Sequence, residues 1–406
     1  MKTFQMTVRN AFFAGIVGLL LISQLSGANK DIPDQSWLTF MGNSHRTGSV
    51  AGMAGPEVGE QIWTFRDGIL GSPFAASPAI SGNRVYIGSD DCKLYCLDAY
   101  TGNLVWEFEV VYEVFASPAV TAGRVYVGEG LHYTDQAKLY CLDASTGSLL
   151  WAFQTGSHIE FGPTILNGRI YFGAGQDGLY CLDAESGREI WQYKGVHVDM
   201  SPVVTDRGVF FGNVYGEPRF YRLDPKDGNL VWKKPAPYGV CGSPSTDGQY
   251  VYFGLGNGTF DMSHAQPRGL VLCLSVADGD KIWNVEVKDA VLTTIALSRG
   301  SAYFGSRDGH VYCVDAASGE VCWSFNTDVP VLSSPAVVGG RVYFGSDNGY
   351  FYCLDAASGK ELWRYDTSGV SFSAEARIIS SPAVMNIRVY VGSVNSFFFC
   401  LGSSQP

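Results

Sequence analysis

Residues 334–363 read SPAVVGGRVYFGSDNGYFYCLDAASGKELW. The four runs SPAV, RVYFGS, YFYCLDA and KELWRY alternate apolar with polar residues or are rich in β-branched and aromatic types. Asp347-Asn348-Gly349 and Ala357-Ser358-Gly359 stand between them as turns, so the stretch predicts four short antiparallel strands. Its opening Ser-Pro, or an equivalent, recurs at Ser77, Ser117, Gly162, Ser201, Ser243, Thr293, Ser334 and Ser381. The intervals of about 40–50 residues match the period of a four-stranded propeller blade. The eighth unit stops at Leu401 without a fourth strand, and QIWTFRD at 61–67 supplies one ahead of the first Ser-Pro. The expected fold is therefore all-β, an eight-bladed β-propeller of four-stranded antiparallel blades, closed by an N-terminal strand that joins the C-terminal blade. Closure removes free sheet edges that would otherwise template aggregation.

Composition agrees with that reading. The chain has 406 residues, 49 Gly, nine Trp, 14% aromatic and only 17% charged residues. Gly supplies the positive φ of tight hairpin turns, so its abundance follows from the number of turns. Trp63, Trp106, Trp151, Trp191, Trp232, Trp283, Trp323 and Trp363 place one Trp in each outer strand. A 46% apolar content excludes a disordered chain, and a net charge of −11 argues against nucleic-acid binding, which needs a basic patch to neutralise phosphates. Cys96, Cys141, Cys181, Cys273, Cys313, Cys353 and Cys400 occupy one slot of the repeat, a blade apart, and read as small buried hydrophobes. Cys92, Cys241 and Cys322 fall outside the slot, and a bridge among them is left open.

Lys2 and Arg9, an apolar run of 12 residues from Ala11 to Ile22, and Ser26-Gly27-Ala28 predict a cleaved secretory signal over 1–28. A lead-in at 29–60, the propeller at 61–402 and a tail at 403–406 complete the expected organisation. The run is too short to span a bilayer, and no Cys lies near the cut to carry a lipid, so the expected protein is exported and without stable membrane insertion.

The run Asp98-Ala99-x-Thr101-Gly102-x-x-x-Trp106 and its copies resemble the tryptophan-docking repeat of pyrroloquinoline-quinone-type (PQQ-like) propellers. The likeness covers about residues 61–402. The segment from Trp37 to Gly48 is similar to the lead-in of exported, BamB-like members, whose role is protein–protein contact. The quinoprotein dehydrogenases of this family hold the quinone between a Trp and a disulfide of adjacent cysteines, beside a calcium ion. This sequence has no Cys-Cys pair and no C-x-x-C-H haem motif, and only Trp37 is not assigned to an outer strand. No cofactor is therefore expected; PQQ and Ca²⁺ belong to the alternative reading of a quinone-dependent dehydrogenase that oxidises alcohols or sugars.

The repeated Asp98, Asp143, Asp183, Asp224, Asp315 and Asp355, which precede Thr/Ser-Gly (Asp-Gly after Asp224), read as Asx turns. Departures from the repeat are more informative. Four and two residues ahead of the opening, His158 and Glu160 lead into blade 3, and His197 and Asp199 into blade 4. Even offsets on an extended strand share a face, so Glu113, His158, Glu160, His197 and Asp199 are expected to converge at one channel mouth. Asp289 and Arg377 occupy the matching position in blades 6 and 8. His158, Glu160, His197 and Asp199 are the candidate metal ligands; solvated loop residues are the competing reading. Long second-to-third-strand loops mark blades 2, 4 and 5, and the last carries His264 and Arg268. The expected role is a monomeric, non-catalytic scaffold or binding module that meets a protein partner or a small polar ligand at the mouth.

Overall fold

The computed structural model describes residues 36–67, 71–370 and 376–403, and the expected signal segment 1–28 lies outside them. Eight antiparallel sheets follow one another along the chain. Blade 7 shows the pattern: Ala336–Val338 is innermost, followed by Arg341–Gly345, Tyr350–Asp355 and the outermost Glu361–Asp366. These are the four runs read from the sequence. In blade 8 the outermost strand is Glu60–Phe65, paired antiparallel with Phe398–Gly402, so the N-terminal strand closes the ring. Among the described residues the one helical element is a 3-10 turn at Ser368–Val370, and no helix is long and apolar enough to cross a membrane.

Register explains the repeated residue types. In blade 1, Ala79 pairs with Tyr86, Tyr86 with Cys96, and Cys96 with Trp106, forming one rank from the axis outward. The Cys slot thus lies between two large rings of its own blade, where a small apolar side chain fits. All ten cysteines are free. The Trp and Tyr of that rank then reach the next blade together. Trp106 Nε1 and Tyr86 Oη both donate to Ala144 O, each at 3.1 Å. Blade 8 repeats the arrangement on blade 1, with Trp63 and Tyr390 converging on Ala99 O. The Trp ring lies flat on the turn glycine of that neighbour, where a Cβ added at Gly102 would fall 2.6 Å from Trp63. Because Gly102 also has φ +72°, the turn and the docking surface both require glycine. At the same turns, Asp98 Oδ1 accepts from Tyr100 N and Thr101 N, and Asp143, Asp183, Asp315 and Asp355 repeat the pattern.

The lead-in does more than precede the ring. Trp37 bridges Ile80 of blade 1, Leu38 O accepts from Val120 N of blade 2, and Thr39 Oγ1 donates to Pro163 O at blade 3. Ser44, His45, Thr47 and Gly48 then offer carbonyls to Val204, Thr246, Leu297 and Val337 of blades 4 to 7, and Ala54 to Ile387 of blade 8. The segment therefore winds once around the inside of the ring and fills one end of the channel. Arg46, with no side-chain exposure, anchors it by donating to Pro202 O, Phe40 O, Gly162 O and Thr164 Oγ1.

Above this plug the opening residues bond from blade to blade. Ser77 N donates to Ser117 Oγ, Ser334 N to Ser381 Oγ, and Ser381 N to Ser77 Oγ. One expectation is corrected here. In blade 6 the residue that donates to Ser334 Oγ is Thr294, and Ala296 pairs with Tyr303 as Ala79 does with Tyr86, so the opening is Thr294 and not Thr293. Two consecutive Thr without a Pro leave the frame undetermined until the register is seen. The slot four residues ahead of the opening is consequently Ala290, one place after Asp289.

Candidate functional site

Each innermost strand is entered by an extended segment at the end of the channel opposite the plug. These segments and the long loops form the mouth. Beneath it the channel is lined by Phe115, Phe161, Leu292, Leu332 and Ile379, with Phe40 of the lead-in below and Phe260 of the blade 5 loop beside them. The space left between them is about 60 Å³. Small-molecule sites usually measure about 300–1,000 Å³. The Cys241 thiol that also lines the channel is pushed up to about 12 by burial, which keeps it protonated and a poor nucleophile at neutral pH.

The blade 5 loop is fastened across the mouth. Phe260 O accepts from Arg307 Nη1 of blade 6 at 2.9 Å and from Arg377 Nη2, ahead of blade 8, at 3.1 Å. Arg307 also lies 3.9 Å from Asp289, which accepts from Ser263 Oγ of the loop, and Arg377 pairs with Asp347 at 3.1 Å. Asp289 and Arg377 are thus part of a clamp on the loop. Arg307 is a site residue that the sequence reading passed over. Its signal was available, since SRDG at 306–309 matches SDNG at 346–349 and carries Arg where blade 7 has Asp347. His264 and Arg268 belong to the same loop and are exposed. His264 Nδ1 interacts with Gln266, and the Arg268 guanidinium donates to Pro267 O.

Blades 3 and 4 contribute a tight polar cluster. His158 Nε2 lies 2.8 Å from Asp199 Oδ1 and His197 Nε2 2.6 Å from Asp199 Oδ2, so one carboxylate joins two imidazoles. Glu160 Oε2 is 4.0 Å from His158 Nε2 and 3.8 Å from His132 Nδ1 of the blade 2 loop. Tyr215 of the blade 4 loop packs on His197, with ring centroids 4.6 Å apart. His158, Glu160, His197 and Asp199 therefore come together as their spacing predicts, with Asp199 as the hub. Glu113 does not join them through a hydrogen bond or ion pair; it accepts from Tyr133 Oη at 2.7 Å. The ligand atoms of His158, His197 and Asp199 lie within 4.8 Å of one another.

Burial and charge set the electrostatics of the mouth. Burial would raise the Asp199 carboxyl, but hydrogen bonds from His158 and His197 hold it below the ordinary carboxylate range. Burial likewise opposes protonation of His158, and the bond to Asp199 with the charges of Asp199 and Glu160 raises it overall. Glu160 is raised, mainly by burial and then by Asp199. Asp90, beside the same mouth, is pushed up to about 6 by burial, with Glu113 and Asp91 adding.

The two groups of shifts act in opposite pH windows. Asp90, Glu160 and His158 bind protons more tightly in the folded state, so their contribution is lost as pH rises through their folded values. Asp98, Asp143, Asp183, Asp315 and Asp355 are lowered, and theirs is lost as pH falls below about 4. The expected thermal midpoint is therefore highest near pH 5 and declines on both sides, and Asp90→Asn flattens the limb above pH 5. A midpoint that keeps rising from pH 5 to 8 contradicts this assignment.

The comparisons with known proteins agree with the fold. The family described as outer membrane protein assembly factor BamB matches residues 46–131, 128–212 and 267–396. The solved structure of BamB from Moraxella catarrhalis is 19% identical with a TM-score of 0.66, covering 86% of this chain and 99% of that one. The quinohemoprotein alcohol dehydrogenase of Comamonas testosteroni is 14% identical with a TM-score of 0.70, covering 91% and 81%. A computationally designed protein, Ika8, is 15% identical with a TM-score of 0.69, covering 85% and 100%. No curated protein matches the sequence. At these identities the solved structures establish the fold alone.

Proposed function

We propose, from the premise that this chain belongs to the family described as outer membrane protein assembly factor BamB, that it is an exported, non-catalytic interaction scaffold whose working surface is the channel mouth. The observation that carries this reading is the filled channel. Plugged by the lead-in and Phe40 and crowded by Phe260, it retains about 60 Å³, too little for a quinone cofactor with a substrate beside it. The loops that surround it instead expose apolar side chains. Tyr133, Val214, Tyr215 and Met262 are all exposed on the long loops of blades 2, 4 and 5. Rigidly mounted aromatic and Met side chains are the residue types enriched where proteins meet. A protein partner therefore fits this surface better than a small polar ligand, and the chain acts as a monomer toward it, without nucleic acid and without stable membrane insertion.

The dehydrogenase alternative rests on the fold shared with the Comamonas testosteroni enzyme. Incubation with PQQ and Ca²⁺ separates the two readings. The expected result is no bound-quinone absorption and no dye reduction with alcohols or sugars. A stoichiometric quinone spectrum with substrate-dependent turnover would overturn the scaffold assignment.

A further inference from the structure

We propose that His158, His197 and Asp199, completed by Glu160, form a binding site for one divalent transition-metal ion of the zinc type, joining the segments that enter blades 3 and 4. The inference rests on side-chain geometry alone and stands independently of the scaffold reading.

Three observations converge. First, both imidazoles aim the same ring nitrogen, Nε2, at one carboxylate, and the three ligand atoms fit within 4.8 Å. Around a tetrahedral ion with bonds of about 2.0–2.2 Å, neighbouring ligand atoms stand roughly 3.3–3.6 Å apart. A small outward rotation of Asp199 therefore opens the position now spanned by two hydrogen bonds. Glu160 Oε2, at 4.0 Å from His158 Nε2, is placed to supply the fourth ligand.

Second, the donor set selects the metal. Two imidazole nitrogens with two carboxylates suit zinc and its neighbours, whereas calcium and magnesium take oxygen ligands. Third, the surroundings resemble those that orient ligands. His158 is only 2% exposed, and its other nitrogen, Nδ1, lies 3.4 Å from Ser157 Oγ, so the hydroxyl oxygen is placed to accept from Nδ1–H once the ion has displaced the Nε2 proton that now bonds to Asp199. The His197 ring is packed on Tyr215, and His132 adjoins Glu160. The site also belongs to this seam, since the corresponding positions are Glu113 and Phe115 in blade 2 and Gly239 and Cys241 in blade 5.

An ion here ties together the entries to blades 3 and 4, with His132 of the blade 2 loop and Tyr215 of the blade 4 loop beside it. Its role is to fix the shape of that half of the mouth. With four protein ligands the site is closed, the arrangement of a structural centre.

The test is titration of metal-stripped full-length protein with Co²⁺ as a spectroscopic probe, followed by displacement with Zn²⁺. The expected result is tetrahedral ligand-field absorption that saturates at one equivalent and is abolished by Zn²⁺. His197→Gln and Asp199→Asn should each weaken binding by more than the about 10–100-fold typical of losing an outer-shell partner. His310→Ala, on a blade 6 hairpin, should bind as the parent does. Circular dichroism of the metal-free variants reports whether they fold, and the partly exposed His197 makes its variant the safer of the two. Absence of tetrahedral absorption, retention of it in both variants, or preference for Ca²⁺ over Zn²⁺ would overturn the assignment.

Discussion

Replacing Trp63 with Ala is expected to destabilise the protein by about 3–5 kcal/mol, the range for truncating a large buried aromatic. Trp63 stands on the N-terminal strand that closes blade 8 and is 8% exposed. Its indole packs on Tyr390 and Phe398 with ring centroids 5.8 and 5.9 Å away, donates to Ala99 O, and covers Gly102 of blade 1. One side chain therefore serves two contacts, strand to blade and blade to blade. The other seven docking Trp residues sit on strands held in sequence by their own hairpins, whereas the strand of Trp63 is held only by what it touches. Urea unfolding should show Trp63→Ala less stable than Trp323→Ala, whose ring is more exposed and whose strand is covalently continuous with its blade. Equal midpoints for the two variants would show that the closing strand adds nothing to the docking contact.

Arg46→Ala is expected to cost about 3–5 kcal/mol, because it empties a fully buried site and removes hydrogen bonds to Phe40 O, Gly162 O, Pro202 O and Thr164 Oγ1, of which Pro202 O keeps another donor in the Thr164 hydroxyl. Burial lowers this guanidinium to about 9, so it remains charged at neutral pH. Its fork reaches Pro202 O, Gly162 O and Thr164 Oγ1 of blades 3 and 4 while returning to Phe40 O of its own segment, with Phe40 beneath it at 5.3 Å from the ring centroid. Lys keeps the charge but not the planar fork, so Arg46→Lys should recover less than half of the loss. Hydrogen exchange provides the structural check. The amides of Val204 and Thr246, which donate to Ser44 O and His45 O, should lose protection before the blades unfold. Full stability in Arg46→Lys would mean that charge, and not the fork, anchors the segment.

Much of the ring was legible because the repeat states the same rule many times. Asp before Thr/Ser-Gly marks a turn, Trp marks the outer strand, and Cys between Tyr and Trp marks one rank of side chains. The missing final strand was legible for the same reason, since QIWTF at 61–65 carries the outer-strand signature away from any blade. What the repeat does not encode was harder to see. The path of Trp37 through Ala54 has no period, because each residue answers a different blade, and nothing local indicates that Arg46 points into the core. The Thr293–Thr294 frame was ambiguous for want of a proline. Phe260 lies in a loop with no counterpart elsewhere, so its place at the mouth follows from Arg307 and Arg377, residues distant in sequence. In the candidate site, the offsets placed five residues at one mouth, of which His158, Glu160, His197 and Asp199 lie together while Glu113 bonds to Tyr133, and they did not reveal that Asp199 lies closer to His158 than Glu160 does.

The pairing of Glu60–Phe65 with Phe398–Gly402 also sets an order of events in time. Seven blades can form from neighbouring segments as the chain emerges, whereas the eighth must wait for residues at both ends of the described chain to meet. Closing a loop of this length carries an entropic cost of about 5 kcal/mol, while local hairpins close cheaply. Until then the strand that carries Trp63 has no sheet partner, and the ring stays open. The seam makes the arrival of Phe398–Gly402 a checkpoint: a chain truncated before Phe398 can build most of its blades, yet it leaves the strand Glu60–Phe65 without a partner and its ring open.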